Sequence, residues 1–290
     1  AAGGGGPCAS RPWPRPMWFV CDACGIVCFS IAYFLLTSAN VLVLQVGAWP
    51  WGKTGSMVCG CVYECWFVLG IWAHLACMLT DPGAVPQQEV EMTEGVKLCN
   101  KCQAPKPSRA HHCSVCNRCI MKMDHHCPWV NNCVGARNQK HFMLFLLYVF
   151  LQCFAAAISL GSHFMSSTAL PPRNRGRSAG FLSRDAGEAE RAAWRAEVRK
   201  RAADRSEADW DIVCSIMIFF VALIFGLFTC IMLCDQVSNI VSNTTGIEAM
   251  QTYAAKPRPW RESLQEVMGP RSWRWLVPTP LKITQAKDET

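Results

Sequence analysis

Four long apolar runs restrict this sequence to a membrane-spanning fold. They cover residues 18–46, 57–79, 142–165 and 212–234. A helix needs about 20 mostly apolar residues to cross a bilayer, and each run is long enough to do so. Hydrophobic residues make up 51% of the chain, and they are concentrated in these runs rather than spread at a helical or strand period. The sequence therefore predicts an all-α polytopic membrane protein with four transmembrane helices.

The segments between the runs differ in composition. Residues 1–17 are rich in Gly, Pro and Arg, which predicts a disordered tail. Residues 166–211 join a basic stretch to one rich in Ala, Glu and Arg, where opposite charges three or four residues apart predict a solvated helix. Residues 235–290 form a C-terminal region whose short apolar segments are typical of a membrane interface. Residues 80–141, between the second and third runs, contain the chain's most unusual composition.

Residues 99–133 contain seven cysteines and four histidines. Two thiolates three residues apart can bind one tetrahedral zinc ion, and such C-x-x-C pairs recur here. Two closed sites need eight ligands. The best interleaved partition assigns one ion to Cys99, Cys102, His112 and Cys119, and the other to Cys113, Cys116, His126 and Cys133. Such a segment has almost no hydrophobic core, so we expect a small zinc-stabilised domain of short hairpins.

This partition leaves Cys127 without a metal. Cys127 follows Asp124, His125 and His126, and a thiol becomes a nucleophile when a neighbouring base or cation favours its thiolate. Asp124 could orient His125, which could take the proton from Cys127, as in a catalytic triad. The alternative is a purely structural zinc domain in which Cys127 is a spare ligand. Spacing alone leaves both open.

Further motifs in this chain resemble a known family. The run from Cys99 to Cys133, with Asp-His-His-Cys at 124–127, resembles the cysteine-rich domain of the DHHC protein S-acyltransferases (palmitoyltransferases). The resemblance extends to Asp81-Pro82-Gly83 after the second run, to Gly135, Asn138 and Phe142 before the third, to Thr245-Gly246-Ile247-Glu248, and to the C-terminal stretch that includes Ser263. Two positions depart from the family pattern, which usually has Thr at 246 and Asn at 263.

The resemblance implies an acyl-CoA-dependent, ping-pong enzyme. Such an enzyme transfers a long-chain acyl group, in the first place palmitoyl, to protein cysteines through an acylated Cys127, with catalysis by His125 and Asp124. The resemblance also implies two structural Zn²⁺ ions held by the eight ligands above. The remaining site residues that it implies are Lys97, Lys106 and Arg109 for the phosphates of coenzyme A, Trp129 near the thioester, and Gln152 at the acyl-chain cavity.

The expected partners are the lipid bilayer, palmitoyl-CoA and protein substrates with membrane-proximal cysteines. The net charge of the chain is +7, and its basic residues lie beside membrane segments. This position favours lipid headgroups or cofactor phosphates over nucleic acid as their binding partners. Thiolate ligands need a reducing compartment, so we expect the zinc domain and both termini in the cytosol and residues 166–211 in the lumen. The resemblance implies Golgi or ER membranes.

Two other classes of function stay open at this point. A membrane-anchored zinc domain that only binds partners or nucleic acid would leave Cys127 unexplained. A transporter could use Glu64 and His74, two ionisable residues within the second run, as a polar relay. That class predicts more polar residues inside the membrane, and internal repeats, than the sequence contains. Glu64 and His74 could also simply brace contacts between helices.

Overall fold

The computed structural model describes residues 18–46, 52–86, 97–169, 187–251 and 258–280. Within these ranges, four helices are long and apolar enough to cross a membrane, which confirms the predicted fold class. They are α1 (Ala23–Val46), α2 (Gly52–Leu79), α3 (Gln139–Ala169) and α4 (Glu188–Val241). Two short helices follow, α5 (Gly246–Met250) and α6 (Trp260–Met268). The predicted tail, residues 1–17, lies outside the described residues.

The first apolar run contributes to two different environments. Helix α1 begins only at Ala23, and the residues before it form irregular chain. Trp18 and Val20 are buried in the core of the cysteine-rich domain, where the Trp18 Nε1–H donates to Asn132 Oδ1 at 2.9 Å. Hydropathy cannot separate a lipid-facing residue from one buried in a neighbouring domain, because both are apolar.

Helix α4 is 54 residues long and joins the charged stretch to the fourth apolar run without a break. The apolar, membrane-length part covers Trp210–Val241. The sequence suggests two elements because hydropathy changes near residue 212. The helix continues because no proline or glycine interrupts the chain there, and a backbone that enters the bilayer must keep its hydrogen bonds within the helix. An ion pair between Arg201 and Glu197, one turn apart at 2.9 Å, supports the charged part.

The helices contribute to two compact units. The unit that contains the cysteine-rich domain also includes helix segments 23–37, 64–79, 139–152 and 226–241. The second unit includes helix segments 38–46, 52–63, 153–169 and 188–225. The functional geometry described below lies entirely within the first unit.

The cysteine-rich domain consists of three antiparallel hairpins between α2 and α3, as predicted. They pair β1 (Leu98–Cys99) with β2 (Ala104–Pro105), β3 (Ala110–Cys113) with β4 (Arg118–Met121), and β5 (His125–Cys127) with β6 (Asn132–Val134). A 3-10 turn, Pro128–Val130, connects the last two strands. Strands this short bury too little apolar surface to be stable alone, so other contacts must hold the hairpins.

Asn132 attaches this domain to the end of α2. The last carbonyls of a helix have no partner within the helix. The buried Asn132 Nδ2 lies 3.1 Å from the Cys77 carbonyl oxygen and 2.9 Å from that of Thr80. Gly135 makes a second close approach, since a Cβ there would lie 2.6 Å from the Pro82 carbonyl oxygen. The domain is therefore attached to the C-terminal end of α2.

Candidate active site and metal centres

Two groups of four ligand side chains lie in the cysteine-rich domain. Within each group the ligand atoms lie within 4.8 Å of one another. One group is Cys99, Cys102, His112 and Cys119; the other is Cys113, Cys116, His126 and Cys133. Strand register brings distant ligands together, because His112 is paired with Cys119 across β3–β4 and His126 with Cys133 across β5–β6. These are the two groups that the interleaved spacing predicts.

The separations within each group fit a structural zinc ion. A tetrahedral ion with Zn–S bonds near 2.3 Å places its sulfur ligands about 3.8 Å apart. The Sγ atoms of Cys102 and Cys119 are 3.7 Å apart, and those of Cys116 and Cys133 are 3.4 Å apart. The His126 Nδ1 lies 3.6 Å from Cys133 Sγ. Three sulfurs and one nitrogen close each site, which leaves no open position for a substrate.

Asp22 supports the second group and is a residue that sequence reasoning missed. The His126 ring directs Nδ1 to the cysteine sulfurs, while its Nε2 lies 3.7 Å from Asp22 Oδ2. Metal-bound histidines commonly direct their second nitrogen to a carboxylate; here the contact is electrostatic, because 3.7 Å is too long for a hydrogen bond. The same Asp22 oxygen accepts the Gly25 N–H at 2.9 Å at the start of α1. Cysteine spacing gives no signal for a residue this far upstream.

Cys127 belongs to neither group, and the strand geometry explains why. Successive side chains of a strand face opposite sides, so in β5 the side chain of His126 faces one way and those of His125 and Cys127 face the other. His126 thus reaches the metal group while its neighbour His125 does not. The His125 Nδ1 lies 2.7 Å from Asp124 Oδ2, and the Phe142 ring packs edge-on against the imidazole at 5.4 Å.

Asp124 is the centre of a buried hydrogen-bond network. Its Oδ2 also accepts the Gln236 Nε2–H at 2.8 Å, and its Oδ1 accepts the Gly246 N–H at 2.6 Å. Burial raises the pKa of this carboxyl, but the hydrogen bonds from His125, Gly246 and Gln236 outweigh it and lower the pKa. Asp124 is therefore a fixed anion that orients the His125 ring.

His125 connects this anion to Cys127. Burial lowers the pKa of His125, whereas its hydrogen bonds to Asp124 and Cys127 raise it, to about 10. Since Nδ1 donates to Asp124, Nε2 is the ring nitrogen that remains for Cys127. A protonated imidazole beside a sulfur favours the thiolate, which is the reactive form of cysteine. The three residues can therefore generate and stabilise a nucleophile.

The departure from the family pattern at Gly246 has a structural explanation. The bond to Asp124 comes from the Gly246 backbone N–H, and a Cβ at this position would lie 3.2 Å from Asp124 Oδ1. The start of α5 is fixed by a capping box, in which the Glu248 N–H donates to Thr245 Oγ1 and Glu248 Oε2 accepts the Thr245 N–H. No side-chain hydroxyl is needed at 246 to bond Asp124.

Arg109 is occupied by this same segment. Its Nε donates to Glu248 Oε1 at 2.7 Å and its Nη2 to Glu248 Oε2 at 2.8 Å, with further bonds to Asn243. This bidentate ion pair joins the cysteine-rich domain to the chain that follows α4. A phosphate of coenzyme A would have to compete with Glu248 for Arg109, and the assignment of Arg109 to those phosphates stays a prediction.

The other residues that the resemblance implies lie in several places. The Lys106 N–H donates to the Lys97 carbonyl at 2.8 Å, so these two lysines are neighbours beside the first hairpin. Trp129 is half-buried in the 3-10 turn after Cys127. Gln152 is buried in α3, and its Nε2 has no hydrogen-bond partner among the described residues. Gln236, which bonds Asp124, was missed, although a polar side chain directly after the fourth apolar run is a usable signal.

The ion pair between Glu248 and Arg109 permits a stability prediction. Glu248 is 1% exposed, so Glu248→Gln leaves a partly buried guanidinium without its counterion. We expect the free energy of unfolding to fall by about 3 kcal/mol. Glu266→Gln is the matched control, because Glu266 pairs with Lys122 and Arg258 but is 36% exposed, and its loss should cost less than about 1 kcal/mol. Denaturation in detergent measures both, and equal losses would contradict the prediction.

Comparison with known proteins agrees with this geometry. A family model described as DHHC palmitoyltransferase matches residues 92–253, more than half of the chain. Palmitoyltransferase ZDHHC3 of Rattus norvegicus is 36% identical over 93% of this chain and 87% of its own length. Palmitoyltransferase ZDHHC7 of the same species is 34% identical over 90% and 80%. Probable protein S-acyltransferase 13 of Arabidopsis thaliana is 30% identical over 73% and 68%. The chain belongs to the DHHC palmitoyltransferase family.

Proposed function

We propose that this palmitoyltransferase transfers a long-chain acyl group from acyl-coenzyme A to protein cysteines through an acyl-enzyme on Cys127. The observation that carries the proposal is the position of Cys127. Among the seven cysteines of residues 99–133 it alone lies outside both ligand groups, and it shares one face of β5 with His125, which is 2.7 Å from Asp124. A purely structural zinc domain would have no use for this arrangement.

The first half-reaction acylates the enzyme. The Cys127 thiolate attacks the carbonyl carbon of the acyl-CoA thioester, a new C–S bond forms, and the bond to the coenzyme A sulfur breaks. The leaving thiolate takes the proton that His125 holds. Asp124 keeps the imidazole oriented throughout, because its own oxygens are fixed by Gln236 and Gly246.

The second half-reaction transfers the acyl group. A cysteine thiol of the substrate protein gives its proton to His125, and its sulfur attacks the thioester carbon on Cys127. The bond to Cys127 breaks and restores the starting thiolate. One thioester replaces another, so there is little driving force in either direction, and the main task of the protein is to position the reacting groups.

The two metal groups serve this positioning. Zinc bound to four protein ligands supplies folding energy and no reaction step. Because β5 contributes His126 to one group and carries His125 and Cys127 on its other face, that ligand group fixes the strand that holds the nucleophile. Asp22, directly before α1, contacts His126 of the same ligand group. Asn132 of β6 donates to the Thr80 carbonyl and so attaches the hairpin to the end of α2.

The binding sites for the two parts of acyl-CoA are also proposals. Lys97, Lys106 and Arg109 are the residues we propose for the phosphates of coenzyme A, and Arg109 would exchange its bond with Glu248 for one with a phosphate. We propose that Trp129 packs beside the thioester and that Gln152 lines the cavity for the acyl chain. Burial of a chain contributes about 0.8 kcal/mol per methylene, so a hydrocarbon cavity would favour long chains such as palmitoyl.

The orientation in the membrane follows from redox chemistry. Six ligand thiolates and a nucleophilic thiolate need a reducing compartment, so we propose a cytosolic cysteine-rich domain and C-terminal region in Golgi or ER membranes. In sealed vesicles with the cytosolic face outward, a protease should cleave residues 235–290 and spare residues 187–201 until detergent is added. Protection of the C-terminal region with cleavage of the other segment would reverse the orientation.

The activity itself has a direct test. The purified full-length protein is incubated with palmitoyl-CoA, and mass spectrometry locates the acyl adduct. We expect a hydroxylamine-sensitive palmitoyl thioester on Cys127 that transfers to an added cysteine-containing peptide with release of free enzyme. Absence of any thioester adduct in protein that retains two zinc ions would contradict the enzyme proposal and favour a binding role.

A further inference from the structure

His74 makes two hydrogen bonds inside the membrane-spanning part of α2. It is 1% exposed and lies near the end of the helix that faces the cysteine-rich domain. Its Nε2 is 2.9 Å from the carbonyl oxygen of Trp129, and its Nδ1 is 3.1 Å from the hydroxyl oxygen of Tyr33 in α1. The His74 ring also packs edge-on against Phe145 at 4.9 Å. The imidazole therefore links α1 and α2 to the 3-10 turn after Cys127.

The direction of each hydrogen bond follows from the chemistry of the partners. A carbonyl oxygen only accepts, so His74 Nε2 carries the proton and donates to Trp129. A charged imidazole is costly at this depth, which leaves Nδ1 with a free lone pair. The Tyr33 O–H then donates to Nδ1 and fixes the tautomer. The result is a directed chain from Tyr33 through His74 to the Trp129 carbonyl.

The carbonyl at the end of this chain belongs to the turn that carries the nucleophile. Cys127 is the residue immediately before the Pro128–Val130 turn. On the far side of the turn, Asn131 is in the left-handed region at φ 46°, and its Nδ2 donates to the Val20 carbonyl at 2.7 Å. His74 and Val20 thus both hold the turn from outside.

We propose that His74, oriented by Tyr33, is a positioning residue for acyl transfer, because it fixes the Trp129 carbonyl and with it the Cys127 turn. The proposal rests on the proposed function of Cys127. A carbonyl next to the hydrocarbon region needs a donor, and without His74 the turn would shift to find another one. A shifted turn changes the angle at which the sulfur meets the thioester, while leaving the acyl-chain cavity in place.

The expected signature is a loss in rate rather than in binding. In single-turnover acylation by palmitoyl-CoA, His74→Leu should lower the maximal rate about tenfold, with the half-saturating concentration unchanged. Tyr33→Phe should lower the rate about threefold, since the donor remains but its tautomer is no longer fixed. His74→Gln should restore most of the rate, because a glutamine amide can donate to Trp129 and accept from Tyr33.

The double variant separates this role from helix bracing. If Tyr33 acts through His74, Tyr33→Phe should cause no further loss in the His74→Leu background. Independent packing contributions would instead multiply. His163→Leu in α3 is the matched control and should keep the wild-type rate. Zinc per chain and the melting temperature check that each variant is folded.

Three results would overturn the proposal. These are a wild-type acylation rate in folded His74→Leu, multiplied losses in the double variant, and an equal loss in His163→Leu. If His74→Leu fails to retain zinc, an unchanged rate in Tyr33→Phe would overturn it instead. A wild-type protein that forms no adduct would contradict the proposed function, whereas a normal adduct rate in the variants would contradict only the role of His74.

Discussion

Cys127→Ser should abolish formation of the acyl-enzyme and leave two zinc ions per chain. The substitution keeps the size of the side chain and removes the thiolate, and Cys127 lies outside both ligand groups. The loss of adduct should therefore be complete, while the melting temperature in detergent stays close to that of the wild type. Intact-protein mass spectrometry after incubation with palmitoyl-CoA measures the adduct, and metal analysis of the same sample measures zinc.

The neighbouring histidines provide matched controls for this experiment. His125→Ala should behave like Cys127→Ser, with slow or absent acylation and normal zinc. His126→Ala should lose one zinc, because His126 faces the metal group from the same strand. If Cys127→Ser itself drops the zinc content from two to one, then Cys127 is a ligand and the enzyme proposal loses its main support.

Loss of a metal ligand should have the second large effect. Cys133→Ser should remove one zinc per chain and destabilise the cysteine-rich domain, because structural zinc contributes on the order of 10 kcal/mol to the folding of small zinc domains. Cys133 is fully buried beside β5, so acylation should be lost together with the metal. Cys99→Ser should remove the other zinc. Metal analysis and limited proteolysis of the purified variants measure both effects.

The two ligand variants should differ in one informative respect. The group of Cys133 includes His126 from β5, whereas the group of Cys99 lies on the first two hairpins. We therefore expect Cys133→Ser to abolish acylation outright and Cys99→Ser to retain a small residual rate. Full zinc retention in either variant would contradict the assignment of that cysteine as a ligand.

The sequence predicts those parts of the structure that depend on the spacing of ligand residues along the chain or on hydropathy. Four membrane helices follow from the apolar runs. A chain inside a bilayer must satisfy its backbone hydrogen bonds internally, and only helices and closed barrels do so. The eight ligand side chains group as the spacing suggests, because a C-x-x-C pair restricts which other ligands can reach the same ion. Alternation along β5 then separates His125 from His126.

The sequence was insufficient where function depends on contacts between distant segments. Asp22 supports His126 from the start of α1, and Gln236 bonds Asp124 from the end of α4. Neither residue belongs to a motif of recognisable spacing, and both reach the site only through the tertiary fold. The sequence likewise does not reveal the ion pair of Arg109 with Glu248, 139 residues further along the chain.

The bonds from Gln236 and Gly246 to Asp124 imply an order of events during synthesis. Asp124 leaves the ribosome 112 residues before Gln236, an interval of roughly ten seconds at ordinary elongation rates. During that interval the hairpins can already take up zinc, but the carboxylate lacks the partners that hold it against the imidazole. We therefore expect a nascent chain that has not yet reached Gln236 not to react with acyl thioesters. We expect catalytic competence to begin only after Gln236 of α4 and Gly246 beyond it have been made and have reached Asp124.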